Sequence, residues 1–260
     1  MEDLIHYSKS VHSQSGEDGI IQKIFDTIGE GSKWCVEFGA WDGIHLSNTR
    51  ALIDKGWRGA LIEYSHSKYQ ELVRNTPRGS IPIHAKVGWS PTDSLDAILS
   101  RYPEIPLDFE LVSIDIDSDD YSVWEAFTKY RPKVVIIEAN PTFPINVEFV
   151  QISGSHFGNS ALSLYLLGVS KGYRLVSYVT NCIFVRDDLA DAFPRRSFAY
   201  IYYIGSGYHG AVVSGFSNQN YMIGNEAFGR VTSLGNKAEL AACARHFHIR
   251  SGREMELLFA

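Results

Sequence analysis

The stretch LVSIDIDSDDYSVWEAFTKYRPKVVIIE, residues 111–138, holds two mostly apolar, non-alternating runs, LVSIDI and KVVIIE, on either side of a segment of helical composition. A strand covered on both faces reads as such a run, whereas a half-exposed strand alternates. The stretch is therefore read as a strand, a helix over 121–130 and a second, parallel strand. Towards the amino terminus the pattern repeats, with strands over 34–38, 59–62 and 81–87 followed by helices over 46–55, 67–74 and 94–101. Ahead of them, 16–28 sets Ile20, Ile21, Ile24, Phe25 and Ile28 on one helical face, with Glu17 and Asp18 in the first turn, where the dipole favours acids. Towards the carboxyl terminus, a helix over 160–170 leads to YRLVSYV (173–179) and CIFVR (182–186), separated only by Thr180 and Asn181. That gap is too short for a crossover helix and predicts an antiparallel hairpin. The expected fold class is α/β, a doubly wound, mostly parallel sheet that ends in this hairpin.

The chain has 260 residues, 45% hydrophobic and 21% charged, a composition that excludes general disorder. Lys+Arg 24 against Asp+Glu 30 gives a net charge of -6, so no overall positive field draws in nucleic acid, and none is expected as partner. No apolar run approaches the roughly 20 residues of a membrane span. The start, MEDLIHYSKS, is acidic at once and has no apolar signal core, which predicts a cytoplasmic protein. Cys35, Cys182 and Cys243 neither pair evenly nor stand at metal-finger spacing, and are read as reduced, buried and structural. No repeat or linker divides the chain. A domain over 1–192, with a helical leading segment, is followed by an extension over 193–260, rich in glycine and aromatics, with runs such as YIYYIGSGYHG and SGFSNQNYMIGNEAFG. An irregular cap, a substrate lid and a subunit interface that would make a homo-oligomer all fit this composition.

In an open α/β sheet the ligand lies beyond the carboxyl ends of the strands, where strand order reverses. The first strand ends in Glu37-Phe38-Gly39-Ala40-Trp41-Asp42-Gly43, whose glycines permit a sharp turn and close approach of a ligand, although a plain tight turn accounts for them as well. The second strand ends at Glu63, twenty residues beyond Gly43, where a carboxylate accepts both hydroxyls of a ribose. Neither G-x-G-x-x-G nor G-K-S/T is present, so a pyrophosphate cradle is not indicated. Glu37 would repel a pyrophosphate and suits a cationic amino-acid portion.

Glu37 to Gly43, Glu63, LVSIDIDSDDYSVW and PKVVIIEANP together resemble class I S-adenosylmethionine-dependent methyltransferases, most closely the FkbM-like branch, over roughly residues 12–188. The opening HSQSGEDGII and the later KGYRLVSYVTNCIFVRDDL are similar to stretches of that branch. The resemblance implies a Rossmann-like, seven-stranded sheet with its last strand antiparallel. It implies S-adenosylmethionine as cofactor, with Glu37, Gly39 and Asp42 on its methionine side, Glu63 on its ribose, Val87 at its adenine and Asp115 as a further cofactor-binding residue. Gln14 and Ser47 are further contacts on this reading. It also suggests O-methylation of a glycan or small hydroxylated acceptor, carried by direct displacement.

The fourth strand ends in Asp115-Ile116-Asp117-Ser118-Asp119-Asp120 and the fifth in Glu138-Ala139-Asn140. Adjacent strand tips are neighbours, so Asp115, Asp117, Glu138 and Asn140 are candidate hard-oxygen ligands for Mg²⁺ or another divalent cation, as in some oxygen methyltransferases to which this pattern is similar. Capping of the helix at Tyr121 by Asp119 or Asp120, and a turn at Asn140-Pro141, account for some of the same residues. His156, in GSHFGNS, is a candidate general base, with Asp115 as the other catalytic candidate. His45 lies beside the cofactor turn. His246 and His248 stand at i, i+2, a spacing that does not share a helical face, and His209 lies in the same tail. Two other readings stay open: a nucleotide-dependent oxidoreductase, and a non-catalytic nucleoside-binding or scaffolding protein on this fold.

Overall fold

The structure, a computed structural model, describes residues 2–205, 212–214, 220–222, 241–251 and 254–255. A 3₁₀ turn over Leu4–Tyr7 and helix α1 (Glu17–Ile28) precede β1 (Trp34–Phe38), α2 (Arg50–Ile53), β2 (Arg58–Glu63), α3 (His66–Asn75), β3 (Ile81–His84) and α4 (Leu95–Leu99). Then follow β4 (Leu111–Ile114), α5 (Asp120–Ala126), β5 (Val134–Glu138), β6 (Val147–Gln151), α6 (Ala161–Ser170), β7 (Tyr173–Val179) and β8 (Asn181–Arg186). The chain continues through α7 (Asp187–Ala190), α8 (Phe198–Gly205), β9 (Val212–Ser214), β10 (Asn220–Met222) and β11 (Ala244–Ile249).

The main sheet has seven strands in the order β3-β2-β1-β4-β5-β8-β7. The order reverses between β1 and β4, which pair in parallel with Phe38 opposite Ile114. The fold is thus Rossmann-like and mostly parallel. The hairpin forms as expected, and its second strand, β8, inserts between β5 and β7, antiparallel to both. Asn181 already belongs to β8, so Thr180 alone turns the chain, with φ at 76°. Side chains on the two faces of the sheet feed separate cores: Val36, Phe38, Val112 and Ile137 pack with α4, α5, α6 and α8. Cys35, Leu61, Leu111 and Ile136 pack with α1, α2 and α3.

Local polar contacts explain where elements are shorter than the sequence suggests. The helix expected over 46–55 is reduced to Arg50–Ile53 because Glu37 takes the hydroxyls of Ser47 (2.6 Å) and Thr49 (2.7 Å) and the Asn48 N–H (2.8 Å), holding 47–49 in a loop. The helix expected over 121–130 stops at Ala126, and beyond it Asp96 Oδ2 accepts the N–H groups of Thr128 (2.8 Å) and Lys129 (2.9 Å). Neither Asp119 nor Asp120 caps α5 through its side chain: Asp120 instead accepts the N–H groups of Ile116 (2.8 Å) and Ser118 (3.0 Å), fixing the turn after β4.

The motif HSQSGEDG builds a strap ahead of α1. Asp18 Oδ2 accepts the N–H groups of Val11 (2.8 Å), His12 (2.7 Å) and Ser13 (2.8 Å), and Glu17 accepts from Ser15 N (2.8 Å) and Asn181 Nδ2 (2.8 Å). Gly19 is required where the strap closes, since a Cβ there would stand 2.1 Å from the Tyr7 carbonyl oxygen.

A second sheet was not foreseen. β6, inserted after β5, pairs antiparallel with β11, and Phe149 of β6 stacks on Phe143 at 4.5 Å. The chain beyond 192 therefore returns to the domain, with Phe198, Ile201 and Tyr202 of α8 joining the main core. Cys35 and Cys182 are buried as expected, but Cys243, just before β11, is only half-buried. The stretches 206–211, 215–219 and 223–240, which carry His209 and much of the aromatic and glycine-rich tail, lie outside the described residues, and with them the lid and interface expectations. No helix among the described residues is long and apolar enough to cross a membrane.

Candidate functional site

At the reversal of strand order the tips of β1, β2, β4 and β5 open into a cleft of about 580 Å³. Its floor is the turn after β1. Gly39 takes φ at 70°, and a Cβ on it would stand 1.9 Å from the Asp115 carbonyl oxygen, so only glycine lets β1 and β4 approach here. The close approach is thus first one of main chain to main chain. Glu37 is buried behind the turn, and burial pushes its carboxyl up, while Ser47, Thr49 and the Asn48 N–H draw it back down. Asn48 in turn donates from Nδ2 to Ser113 Oγ (3.0 Å), tying the 47–49 loop to β4. Ser47, Asn48 and Ser113 line the cleft together with Glu37.

Glu63 sits half-buried at the tip of β2. Its Oε2 accepts the Trp41 N–H (3.0 Å) and its Oε1 the Ser65 N–H (2.6 Å), so the carboxylate is fixed beside the glycine turn. Gln14, delivered by the strap before α1, also lines the cleft. Asp42 does not line the cleft. Its Oδ1 accepts the N–H groups of Ile44 (2.9 Å) and His45 (2.9 Å) and its Oδ2 meets His45 Nδ1 (2.5 Å). Burial opposes the Asp42 charge, but these donors outweigh it and hold the carboxyl below its ordinary value. The contribution of Asp42 is therefore to shape the turn that presents His45 and Leu46, which do line the cleft.

The far wall is acidic. One ligand atom from each of Asp115, Asp117 and Glu138 falls within 4.8 Å of the others. Burial, then the charges of Glu138, Asp120 and Asp117, push Asp115 up to about 8. Burial, then Asp120 and Asp117, push Glu138 up to about 7. Two such carboxyls with raised values at one wall share protons near neutrality. Asn140 does not join them. Its Oδ1 accepts from Thr142 N (2.9 Å) and Thr142 Oγ1 (2.6 Å), and its Nδ2 donates to the Phe157 carbonyl (2.7 Å), so it forms a turn.

A second compartment of about 410 Å³ continues towards β3 and shares Gly39, Glu63 and Ile116 with the first. Val87 lines it, with Tyr64 and Trp89. His156 also lies here, exposed, rather than in the compartment that holds Asp115 and Glu138. The structure thus separates the two residues the sequence offered as catalytic. His246 and His248 lie on a strand, where i and i+2 do share a face, contrary to the helical argument against them. They meet different acids: His246 pairs with Glu148 (3.0 Å) and His248 with Glu254 (3.1 Å).

Among the residues the sequence reading did not single out for the site, Trp41, Leu46, Asn48 and Ser113 line the larger compartment and Tyr64 and Trp89 the smaller. Trp41 was legible in one respect, as a large aromatic placed inside a glycine turn.

No family model matches the sequence, and no curated protein matches it. Similar solved structures include an S-adenosylmethionine-dependent methyltransferase from Aquifex aeolicus, at 11% identity and a TM-score of 0.40, covering 64% of this chain and 87% of that one. An amino pentose methyltransferase from Micromonospora echinaspora, bound to S-adenosylmethionine, has 11% identity and a TM-score of 0.43 over 68% of this chain and 91% of that one. A glycopeptide N-methyltransferase complexed with S-adenosylmethionine has 10% identity and a TM-score of 0.38 over 71% of this chain and 91% of that one. The structural neighbours named are thus S-adenosylmethionine-dependent methyltransferases.

Proposed function

We propose that the chain is an S-adenosylmethionine-dependent methyltransferase that acts on a hydroxyl of a sugar or small hydroxylated metabolite. The observation that carries this reading is the fixed carboxylate of Glu63 at the tip of β2, beside the Gly39 turn and at the reversal of strand order. With both oxygens oriented by main-chain donors, Glu63 keeps lone pairs for a ribose diol. Gly39 and Gln14 border the space for an amino-acid portion, and Val87 and Tyr64 that for a base. The residues present fit the donor: among the described residues the larger compartment is lined by acids without lysine or arginine, which suits a cationic portion, and Lys86 lines the smaller one.

S-adenosylmethionine supplies an electrophilic methyl group on a sulfonium. The chain has to align an acceptor oxygen with that group and exclude water, which accounts for most of the rate in such a displacement. Asp115 and Glu138 lie on the wall of the same compartment, and their carboxylates take the proton from the acceptor hydroxyl.

A divalent cation is the second reading, favoured by the convergence of Asp115, Asp117 and Glu138. These three would hold it, without Asn140, and it would acidify the acceptor hydroxyl. Calorimetric titration with S-adenosylmethionine tests the main reading, followed by transfer of labelled methyl to hydroxylated compounds with the product mapped to O, N or C. Saturable binding and O-methyl product are expected; no binding would overturn the methyl-transfer reading.

A further inference from the structure

Left-handed backbone is concentrated at the cleft. Six non-glycine residues have positive φ among the described ones, and of these Trp41 (47°), Leu46 (56°) and Asp117 (59°) line the larger compartment and His156 (56°) the smaller. For a bulky L-residue this conformation is disfavoured and persists only where its surroundings impose it. At Trp41 the restraint is the N–H bond to Glu63; around Leu46 it is Asp42, which holds Ile44 and His45, and Glu37, which holds Ser47 and Asn48. The strain does not serve burial. Trp41 and Leu46 remain 42% and 54% exposed, both at the mouth of one cavity. Lys68 Nζ, itself paired with Glu71 at 3.0 Å, lies over one face of the indole, 4.8 Å from its centroid, and the His45 ring stands 6.1 Å away.

The rest of that compartment has the opposite chemistry. Glu37, Glu63, Asp115, Asp117 and Glu138 line it, and among the described residues no lysine or arginine does. A ligand that fits both walls has an apolar face and polar groups without negative charge.

We propose that Trp41 and Leu46 form the acceptor platform, and that the acceptor is an uncharged hydroxylated ring such as a glycoside. This rests on the methyl-transfer reading. The ring lays its apolar C–H face on the indole and the Leu46 side chain and turns a hydroxyl towards Asp115 and Glu138. A phosphate or carboxylate on the acceptor that turns towards Asp115, Asp117 and Glu138 meets like charge, and the ammonium over the indole, Lys68, is already paired with Glu71, so phosphorylated, nucleotide-linked and uronic-acid sugars are disfavoured.

Saturation-transfer NMR on the full chain with S-adenosylhomocysteine tests this, using a pool of methyl glycosides, sugar phosphates and uronates. Saturation is expected on ring protons of the uncharged glycosides alone, lost in Trp41→Ala and Leu46→Ala and kept in Trp41→Phe, with S-adenosylhomocysteine affinity within about twofold throughout. Equal saturation of the anionic sugars, an unchanged signal in Trp41→Ala, or no saturated glycoside while S-adenosylhomocysteine binds overturns the platform. Failure of S-adenosylhomocysteine to bind the unmodified chain overturns the methyl-transfer reading beneath it.

Discussion

Glu63 Oε2 accepts the main-chain N–H of Trp41 at 3.0 Å, joining the tip of β2 to the turn that follows β1. One carboxylate thereby fixes the turn, and on the proposed function it also accepts from the ribose diol. Glutamine in its place can still accept the Trp41 N–H through its amide oxygen, but its NH2 cannot accept the exposed Ser65 N–H, which is left to water, and the charge that strengthens a bond to a hydroxyl is lost. Charge-assisted bonds contribute about 1.5–3 kcal/mol. Glu63→Gln is expected to weaken S-adenosylmethionine by on the order of tenfold in calorimetry while leaving the melting temperature nearly unchanged. Undiminished affinity would mean that the diol is held elsewhere.

Trp41 gives a second prediction, because its strain separates stability from function. At φ 47° alanine is strained and glycine is not, while both lack the indole. Trp41→Gly is expected to be more stable than Trp41→Ala by about 1 kcal/mol in chemical denaturation. Both should lose acceptor turnover alike. Equal stability of the two would show that the backbone at this position relaxes out of the left-handed region.

These contacts also show what the sequence could reveal. The parallel strands were legible because burial on both faces leaves continuous apolar runs, and the β7–β8 hairpin because one or two residues cannot hold a crossover. The roles of Glu37 and Asp42 were not. Each reads as an acid near a glycine turn, yet Glu37 spends its oxygens on residues 47–49 and Asp42 on residues 44 and 45. Bonds of this kind depend on which way a loop folds back, and no periodicity encodes that. The β6–β11 sheet was hidden for a different reason: its partners lie far apart in the chain, and β11 is too polar on one face to read as a strand beside a glycine-rich tail.

The acidic wall predicts a pH dependence. Asp115 has an ordinary value of 3.8 and stands at about 8 in the folded chain, and Glu138 moves from 4.5 to about 7. Between those limits the folded chain keeps protons that the unfolded chain has released, so the free energy of unfolding falls as pH rises and levels off above about 8. Denaturant titrations across this window should show the decline, reduced in Asp115→Asn. Methyl transfer should rise over the upper part of the same window, as the pair becomes able to accept a proton, and drop by about 10²-fold or more in Asp115→Asn. Millimolar Mg²⁺ that removes the decline in the unmodified chain, but not in Asp115→Asn, would identify the cation reading, since a bound cation holds both carboxylates ionised.

The strap before α1 allows a structural role to be told from a binding role. Asp18 accepts three main-chain N–H groups, from Val11, His12 and Ser13, and so sets the course of the chain that brings Gln14 to the cleft wall. Removing the carboxylate leaves these donors without a partner, at about 1 kcal/mol or more for each one that water does not reach. Asp18→Ala is therefore expected to lose about 2–3 kcal/mol in chemical denaturation and to weaken S-adenosylmethionine as Gln14 moves away. Gln14 is itself exposed and anchors nothing, so Gln14→Ala should weaken the cofactor without moving the denaturation midpoint. Asp18→Asn, whose amide oxygen still accepts, should fall between the two. A stability loss in Gln14→Ala equal to that in Asp18→Ala would show that the strap is held from the cleft side rather than by its own acid.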